Sequence, residues 1–314
     1  MTERLFKKLV LVGLGLIGSS IARAARKFSA AETIVALDAS REVLSRVREL
    51  GLADEATGDV RSALQGADLV ILCVPVGAIG AAACEIAPYL EHGAVLSDVG
   101  SVKASVIAQV APHVPRGVHF VPAHPLAGTE FSGPDAGFAT LFQNRWCILT
   151  PLEGENAAVE ELAEFWKRLG ARVEAMSAEH HDLALAITSH LPHLIAYNIV
   201  GTADHLERVT QSEVIKFSAS GFRDFTRIAA SDPTMWRDVF LNNRDAVLEM
   251  LDRFNADLAS LRGMIERGDG EGLFDLFTRT RAIRRGIVEQ GQDTAAPDFG
   301  RGVAGKGASK AQAS

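Results

Sequence analysis

The stretch "KLVLVGLGLIGSS", residues 8–20, runs from an apolar strand pattern straight into Gly13, Gly15 and Gly18, and a helical pattern follows. No other feature restricts the fold of this chain so strongly. The first glycine permits a tight turn, the second lets backbone lie against a bulky anion, and the third lets helix pack closely on strand. A helix that begins there presents unpaired N–H groups and a partial positive charge. The spacing alone is common; with strand before and helix after, it reads as the phosphate-binding turn of a dinucleotide fold. Gly13, Gly15, Leu16, Ile17 and Gly18 are therefore candidate cofactor contacts.

The second strand, Thr33–Leu37, ends at Asp38, twenty residues beyond Gly18. An acidic side chain there accepts both ribose hydroxyls of NAD and repels the extra phosphate of NADP. The alternative is that Asp38 only caps the next helix, and Arg41 nearby is a group that could meet a phosphate, so NADP is the less favoured cofactor. In "VILCVPV" (70–76) a third strand reaches the same edge, and Val74 and Pro75 shape a short loop beside the cofactor; alternatively, Pro75 simply begins a helix.

Further strands are expected at Ala94–Ser97, Val118–Ala123, Trp146–Leu149 and Ala171–Ala175, alternating with helices. Runs such as "LVILCV" (69–74) suit strands covered on both faces, so the fold class is α/β, a Rossmann-like doubly wound parallel sheet over residues 1–176. Residues 177–290 then read as helices only. Pro192 predicts a kink in 178–203; Asp232 and Pro233 predict a helix start; apolar positions 247, 251, 254, 258, 261 and 265 form a heptad-like seam. A seam of that length predicts an all-helical dimerisation domain and a homodimer, with a closed bundle inside one chain as the alternative. Residues 291–314, rich in Gly, Ala, Ser and Lys, read as a disordered tail.

A net charge of −7 and a pI near 5.7 argue against nucleic acid or an anionic membrane as partner. Cys73, Cys84 and Cys147 have no metal-type spacing and no secretion signal precedes them, which predicts reduced thiols and a cytoplasmic protein. No uninterrupted apolar stretch reaches the roughly 18 residues of a membrane span.

Two more strand ends carry chemistry. "DVGSVK" (98–103) places Ser101 either to cap a helix or to point into the crevice; Lys103 either binds an anion or is solvated. "HPLAGTEFSG" (124–133) ends a strand on His124, and Pro125 holds His124 extended. A histidine over a dinucleotide can take a proton near neutral pH. In the helical half, His190 and His193 of "SHLPH" lie three apart on one helix face. Two histidines without a third ligand do not make a metal site, and none is expected. His180-His181-Asp182 reads as a helix start, with Asp182 able to orient a neighbour.

Together "GLGLIGSS", "DVGSVK", "HPLAGTEFSG", "AITSHLPHLIA" and "GFRDFTRIAASDPTMW" closely resemble the prephenate/arogenate dehydrogenases of tyrosine biosynthesis, most of all the monofunctional bacterial cyclohexadienyl type, from about residue 8 to 290. No chorismate mutase-like segment is expected before residue 8. The resemblance implies that prephenate, arogenate or both pass a C4 hydride to NAD while the ring loses carbon dioxide. It implies that His124 helps remove the C4 hydroxyl proton and that Ser101 orients that hydroxyl or the histidine. It implies a substrate pocket with His193, His190 as a companion, and Arg227 on a substrate carboxylate; read from the residues alone, either arginine could instead form a salt bridge between helices, Arg223 with Asp224, Asp232 or Glu130. Thr129 and Glu130 are expected at the pocket mouth. The rival readings are a β-hydroxyacid-type dehydrogenase and a dinucleotide sensor without catalysis.

Overall fold

The computed structural model describes residues 5–129, 131–152, 156–210 and 216–289. Its first elements are β1 (Phe6–Val12), α1 (Leu16–Lys27), β2 (Ala31–Leu37), α2 (Arg41–Glu49), β3 (Glu55–Thr57), α3 (Val60–Leu64), β4 (Leu69–Leu72), α4 (Ile79–Ile86), β5 (Val95–Asp98), α5 (Ala104–Val110) and β6 (His119–Phe120). The six strands form a parallel sheet in the order β3-β2-β1-β4-β5-β6. Side chains alternate across it: Leu9, Leu11, Ile34, Ala36, Leu69 and Ile71 feed one core, while Val10, Val12, Val35, Leu37, Val70 and Leu72 feed the other. Both faces need cover, and helices supply it, so the strands read as unbroken apolar runs. The three-residue β3, partly exposed, has no such run, and the sequence reading missed it.

The strand expected over Val118–Ala123 is divided. Val121 still donates to the Leu96 carbonyl at 2.9 Å, but Pro122 has no N–H to give. The chain leaves the sheet there and enters β7 (Ala123–Pro125), which pairs antiparallel with β8 (Trp146–Leu149). After α6 (Asn156–Arg168), β9 (Arg172–Ala175) joins β8 in parallel. His124 is thus not at the carboxyl end of a main-sheet strand. It sits inside β7, opposite Ile148, on the edge of a second three-stranded sheet. An edge tolerates Pro125.

Helices follow: α7 (Ala178–Leu185), α8 (Leu191–Thr210), α9 (Ser220–Thr226), α10 (Pro233–Asn242), α11 (Arg244–Arg267) and α12 (Gly270–Glu289). The kink expected at Pro192 is a widened π turn over Ala186–His190, just before the proline that cannot donate to the preceding turn. The α10 start is as expected: Asp232 accepts from the Met235 N–H at 2.8 Å, with Pro233 in the first turn. The run Ala178–Leu206, although not an uninterrupted apolar stretch, is by length and average composition long and apolar enough to cross a membrane. The polar side chains His181, Asp182 and His190 interrupt this run and are buried inside the fold. The chain divides into two compact units within α11, Met1–Leu251 and Asp252–Ser314. The expected tail, 291–314, lies outside the described residues.

The turn from β1 to α1 is what the glycines require. Gly13 has φ +94°, and a Cβ on it would stand 3.0 Å from Val74 Cγ1. A Cβ on Gly18 would collide with the Gly13 carbonyl, whereas one on Gly15 would meet nothing within 4 Å. Gly18→Ala is therefore expected to cost about 1–3 kcal/mol and lower the thermal midpoint by several degrees. Gly15→Ala should melt like the parent but bind dinucleotide more weakly; calorimetry and dinucleotide titration of both variants check this.

Candidate active site

Asp182, at the start of α7, organises the site. Its Oδ1 accepts from the backbone N–H of Lys103 at 2.7 Å and its Oδ2 from that of Ala104 at 2.9 Å, so it caps α5 from 79 residues away. Oδ1 also lies 2.8 Å from His181 Nδ1. A carboxylate only accepts, so Nδ1 of His181 carries the hydrogen and its Nε2 bears a lone pair. That Nε2 is 2.8 Å from Nδ1 of His124. His124 must then donate from Nδ1, which leaves its Nε2 as a free acceptor. Three residues in series thereby set one tautomer, as second-shell partners do in many sites.

The same environment keeps these rings neutral. Burial, then the neighbouring His181, Lys103 and His190, hold the His124 pKa well below its ordinary value. His181 is also lowered, by burial, against the pull of Asp182. Lys103, which the sequence left as anion-binding or solvated, is neither. It is fully buried, with Nζ 2.5 Å from Asp98 Oδ2 and 2.7 Å from the Ala123 carbonyl. Burial pushes the lysine down and the aspartate up, and their mutual attraction opposes both shifts. Asp98 also accepts from the N–H groups of Gly100 and Ala123. The pair thus ties the loop bearing Ser101 to the strand bearing His124. Ser101 does not cap α5, since Asp182 does; it is half-buried, with its backbone carbonyl facing the His190 ring.

His190 and His193 both border Trp236 of α10. His193 stacks on the indole, 3.6 Å between centroids at 23°, and His190 meets it edge-on at 6.2 Å. His193 Nδ1 donates to the Ser189 carbonyl at 2.8 Å, so its Nε2 is an acceptor. Arg227, in the turn after α9, is close enough to His193 to lower its pKa. Arg223 and Arg227 are both exposed. Thr129 is exposed too, its hydroxyl accepting from the Phe131 N–H at 3.2 Å. Glu130 lies outside the described residues.

The residues present fit a dinucleotide. No side chain caps α1 at Gly15, which leaves first-turn N–H groups, at Leu16 and Ile17, open to an anion. Asp38 does not cap α2; Ser40 does, accepting from Val43. Asp38 instead accepts from the N–H of Leu14 at 3.0 Å and of Ser40 at 2.8 Å, which fixes its carboxylate at the end of β2 with lone pairs to spare for hydroxyls. Val74 packs on the glycine turn, and the exposed Pro75 leads into a short turn before α4 rather than into the helix itself.

The sequence alone did not reveal the role of His181, the buried Lys103–Asp98 pair or Asn243. Only the polar "HHD" inside an otherwise apolar helical pattern hinted at the first.

Comparisons with known proteins identify the family. Residues 21–175 match the family model described as prephenate dehydrogenase, nucleotide-binding domain, and residues 177–279 match prephenate dehydrogenase, dimerization domain. Cyclohexadienyl dehydrogenase of Zymomonas mobilis is 46% identical over 280 residues, 89% of this chain and 95% of that protein. Prephenate dehydrogenase of Bacillus subtilis is 36% identical, over 89% of this chain and 76% of that one. The crystal structure of prephenate dehydrogenase from Aquifex aeolicus, in complex with hydroxyphenyl propionate and NAD+, superposes with a TM-score of 0.84 at 32% identity, covering 90% and 98% of the two chains.

Four histidines of this region have lowered pKa values, that of His190 to about 4. Below pH 6.5 the unfolded chain takes up protons that the folded chain refuses. Stability is therefore expected to fall as pH drops from about 6.5, and His190 stops contributing to the loss only below about 4. Urea unfolding across that range checks it: a flat midpoint between pH 7 and 5 contradicts the neutral, buried histidines.

Proposed function

The chain belongs to the prephenate dehydrogenase family and is an NAD-dependent oxidoreductase; from that premise we propose that it converts prephenate to 4-hydroxyphenylpyruvate, arogenate to tyrosine, or both, for tyrosine biosynthesis. The single observation that carries the catalytic assignment is the Asp182–His181–His124 series, which leaves a neutral His124 with an open Nε2 lone pair. A base for an alcohol must be neutral and accepting, and this ring is both.

In our reading His124 Nε2 takes the proton of the C4 hydroxyl, and Ser101 helps orient that group. Gly13, Gly15, Leu16, Ile17, Gly18, Asp38, Val74 and Pro75 would hold NAD, which would supply the hydride acceptor. Loss of carbon dioxide makes the ring aromatic and supplies much of the driving force, so the protein's share is positioning and charge placement. Arg227 holds a substrate carboxylate, the guanidinium by two parallel bonds, with His193 and His190 beside it in the substrate pocket and Thr129 and Glu130 at the entrance. Residues 1–176 serve as the nucleotide-binding domain and 177–290 as the substrate and dimerisation domain. Leu258, Ile265, Phe274, Phe277 and Ile283 of α11 and α12 are exposed in the single chain, which supports a homodimer through these helices. We place the protein in the cytoplasm, with a small-molecule substrate and neither nucleic acid nor membrane as partner.

The test is reduced-nicotinamide absorbance with NAD or NADP against prephenate and arogenate in parallel. NADH formation with either substrate is expected, and none with any pair, despite NAD binding, would point to the sensor. His124→Asn should lower kcat by about 10² with NAD affinity kept. Arg227→Ala should raise KM for the substrate at least about tenfold, the scale of one charge-assisted hydrogen bond; an unchanged KM returns Arg227 to a structural role.

A further inference from the structure

Asn243 ends α10 and is 6% exposed, an amide held inside the fold. Its Nδ2 lies 2.8 Å from the Asp182 carbonyl and 3.0 Å from Nδ1 of His190. The orientation of this amide is unambiguous. A backbone carbonyl can only accept, so the atom facing Asp182 is the NH2 group. Its second hydrogen then points at His190, whose Nδ1 must carry the lone pair. The ring hydrogen of His190 is thereby forced onto Nε2. That atom is buried and completes no hydrogen bond among the described residues, although the Ser101 carbonyl faces the ring. A buried N–H left unpaired costs about 1–3 kcal/mol, and such a group in an active site is a donor awaiting an oxygen.

We propose that Asn243 is a positioning residue that makes His190 a neutral hydrogen-bond donor, through Nε2–H, to an oxygen atom of the bound substrate. The proposal rests on the dehydrogenase reading for the identity of that substrate, but the tautomer does not depend on it. The neighbouring Asn242 supports the geometry: its Oδ1 accepts from Ser105 Oγ at 2.6 Å and from Gln109 Nε2 at 3.1 Å. The end of α10 is thus pinned to α5 by one asparagine while the next one sets the histidine. His190 is close enough to His124 to lower its pKa, so the donor and the proposed base lie in one region of the fold. One ring would then donate to substrate while the other accepts from it, and each is set by a different partner.

The experiment is nitrogen NMR of the full-length protein labelled at histidine, with the His190 signals assigned by their loss in His190→Gln. In the parent at pH 7, His190 should be neutral with hydrogen on Nε2. A proton on Nδ1, or a charged ring, overturns the proposal without reference to activity. In Asn243→Asp a carboxylate replaces the donor, so Nδ1 must become protonated and the His190 titration should move upward. In the same variant KM for prephenate should rise roughly tenfold or more, the scale of one lost hydrogen bond to a charged oxygen. Asn243→Ala should release the tautomer without adding charge. If Asn243→Asp fails to fold, the parent spectrum and Asn243→Ala still decide. An unchanged His190 tautomer in Asn243→Ala, or an unchanged KM in a variant whose tautomer has switched, rejects the role. If neither prephenate nor arogenate is oxidised by the parent, the substrate assignment fails while the nitrogen spectrum still judges the tautomer.

Discussion

The carboxylate of Asp182 is the interaction on which the rest of the site depends. It caps α5 through the N–H groups of Lys103 and Ala104, and it holds Nδ1 of His181, which in turn holds His124. Its backbone carbonyl receives Asn243. A buried carboxylate is costly unless each lone pair is used. Here that requirement joins the helical segment to the nucleotide-binding fold and, by the same bonds, selects the protonation pattern of two histidines.

A second buried charge acts in parallel. Lys103 and Asp98 gain little stability from each other once desolvation is counted. Their value is geometric: the lysine reaches the Ala123 carbonyl and the aspartate reaches the Ala123 and Gly100 N–H groups. The strand carrying His124 and the loop carrying Ser101 are thereby held at one spacing. Rigid placement of this kind is what a reaction driven by aromatisation needs from its protein.

The glycine turn, the parallel strands and the α10 start were legible in the sequence, because each depends on neighbours within a few residues. Gly13 and Gly18 are forced by close backbone approach, and the strands by having two apolar faces. His124 was legible as a reactive residue, yet its setting was not. The run 118–123 looked like one strand, and only the missing N–H of Pro122 turned it into two strands in different sheets. Lys103 read as either anion-binding or solvated, because nothing local announces that Asp98 and Ala123 will surround it.

By itself, then, the sequence determined the α/β nucleotide fold, the helical half, the cofactor turn and the family to which the motifs belong. These follow from local periodicity and from backbone chemistry at glycine and proline. Tertiary structure alone decided which nitrogen of each histidine carries the hydrogen. It decided that α5 is capped from α7, that Lys103 is buried, and that Asn243 faces His190. Apart from the local bonds of His181 to Asp182 and of His193 to Ser189, those facts rest on hydrogen bonds between residues 20 to 79 positions apart. A linear pattern holds no record of such contacts until the chain has folded.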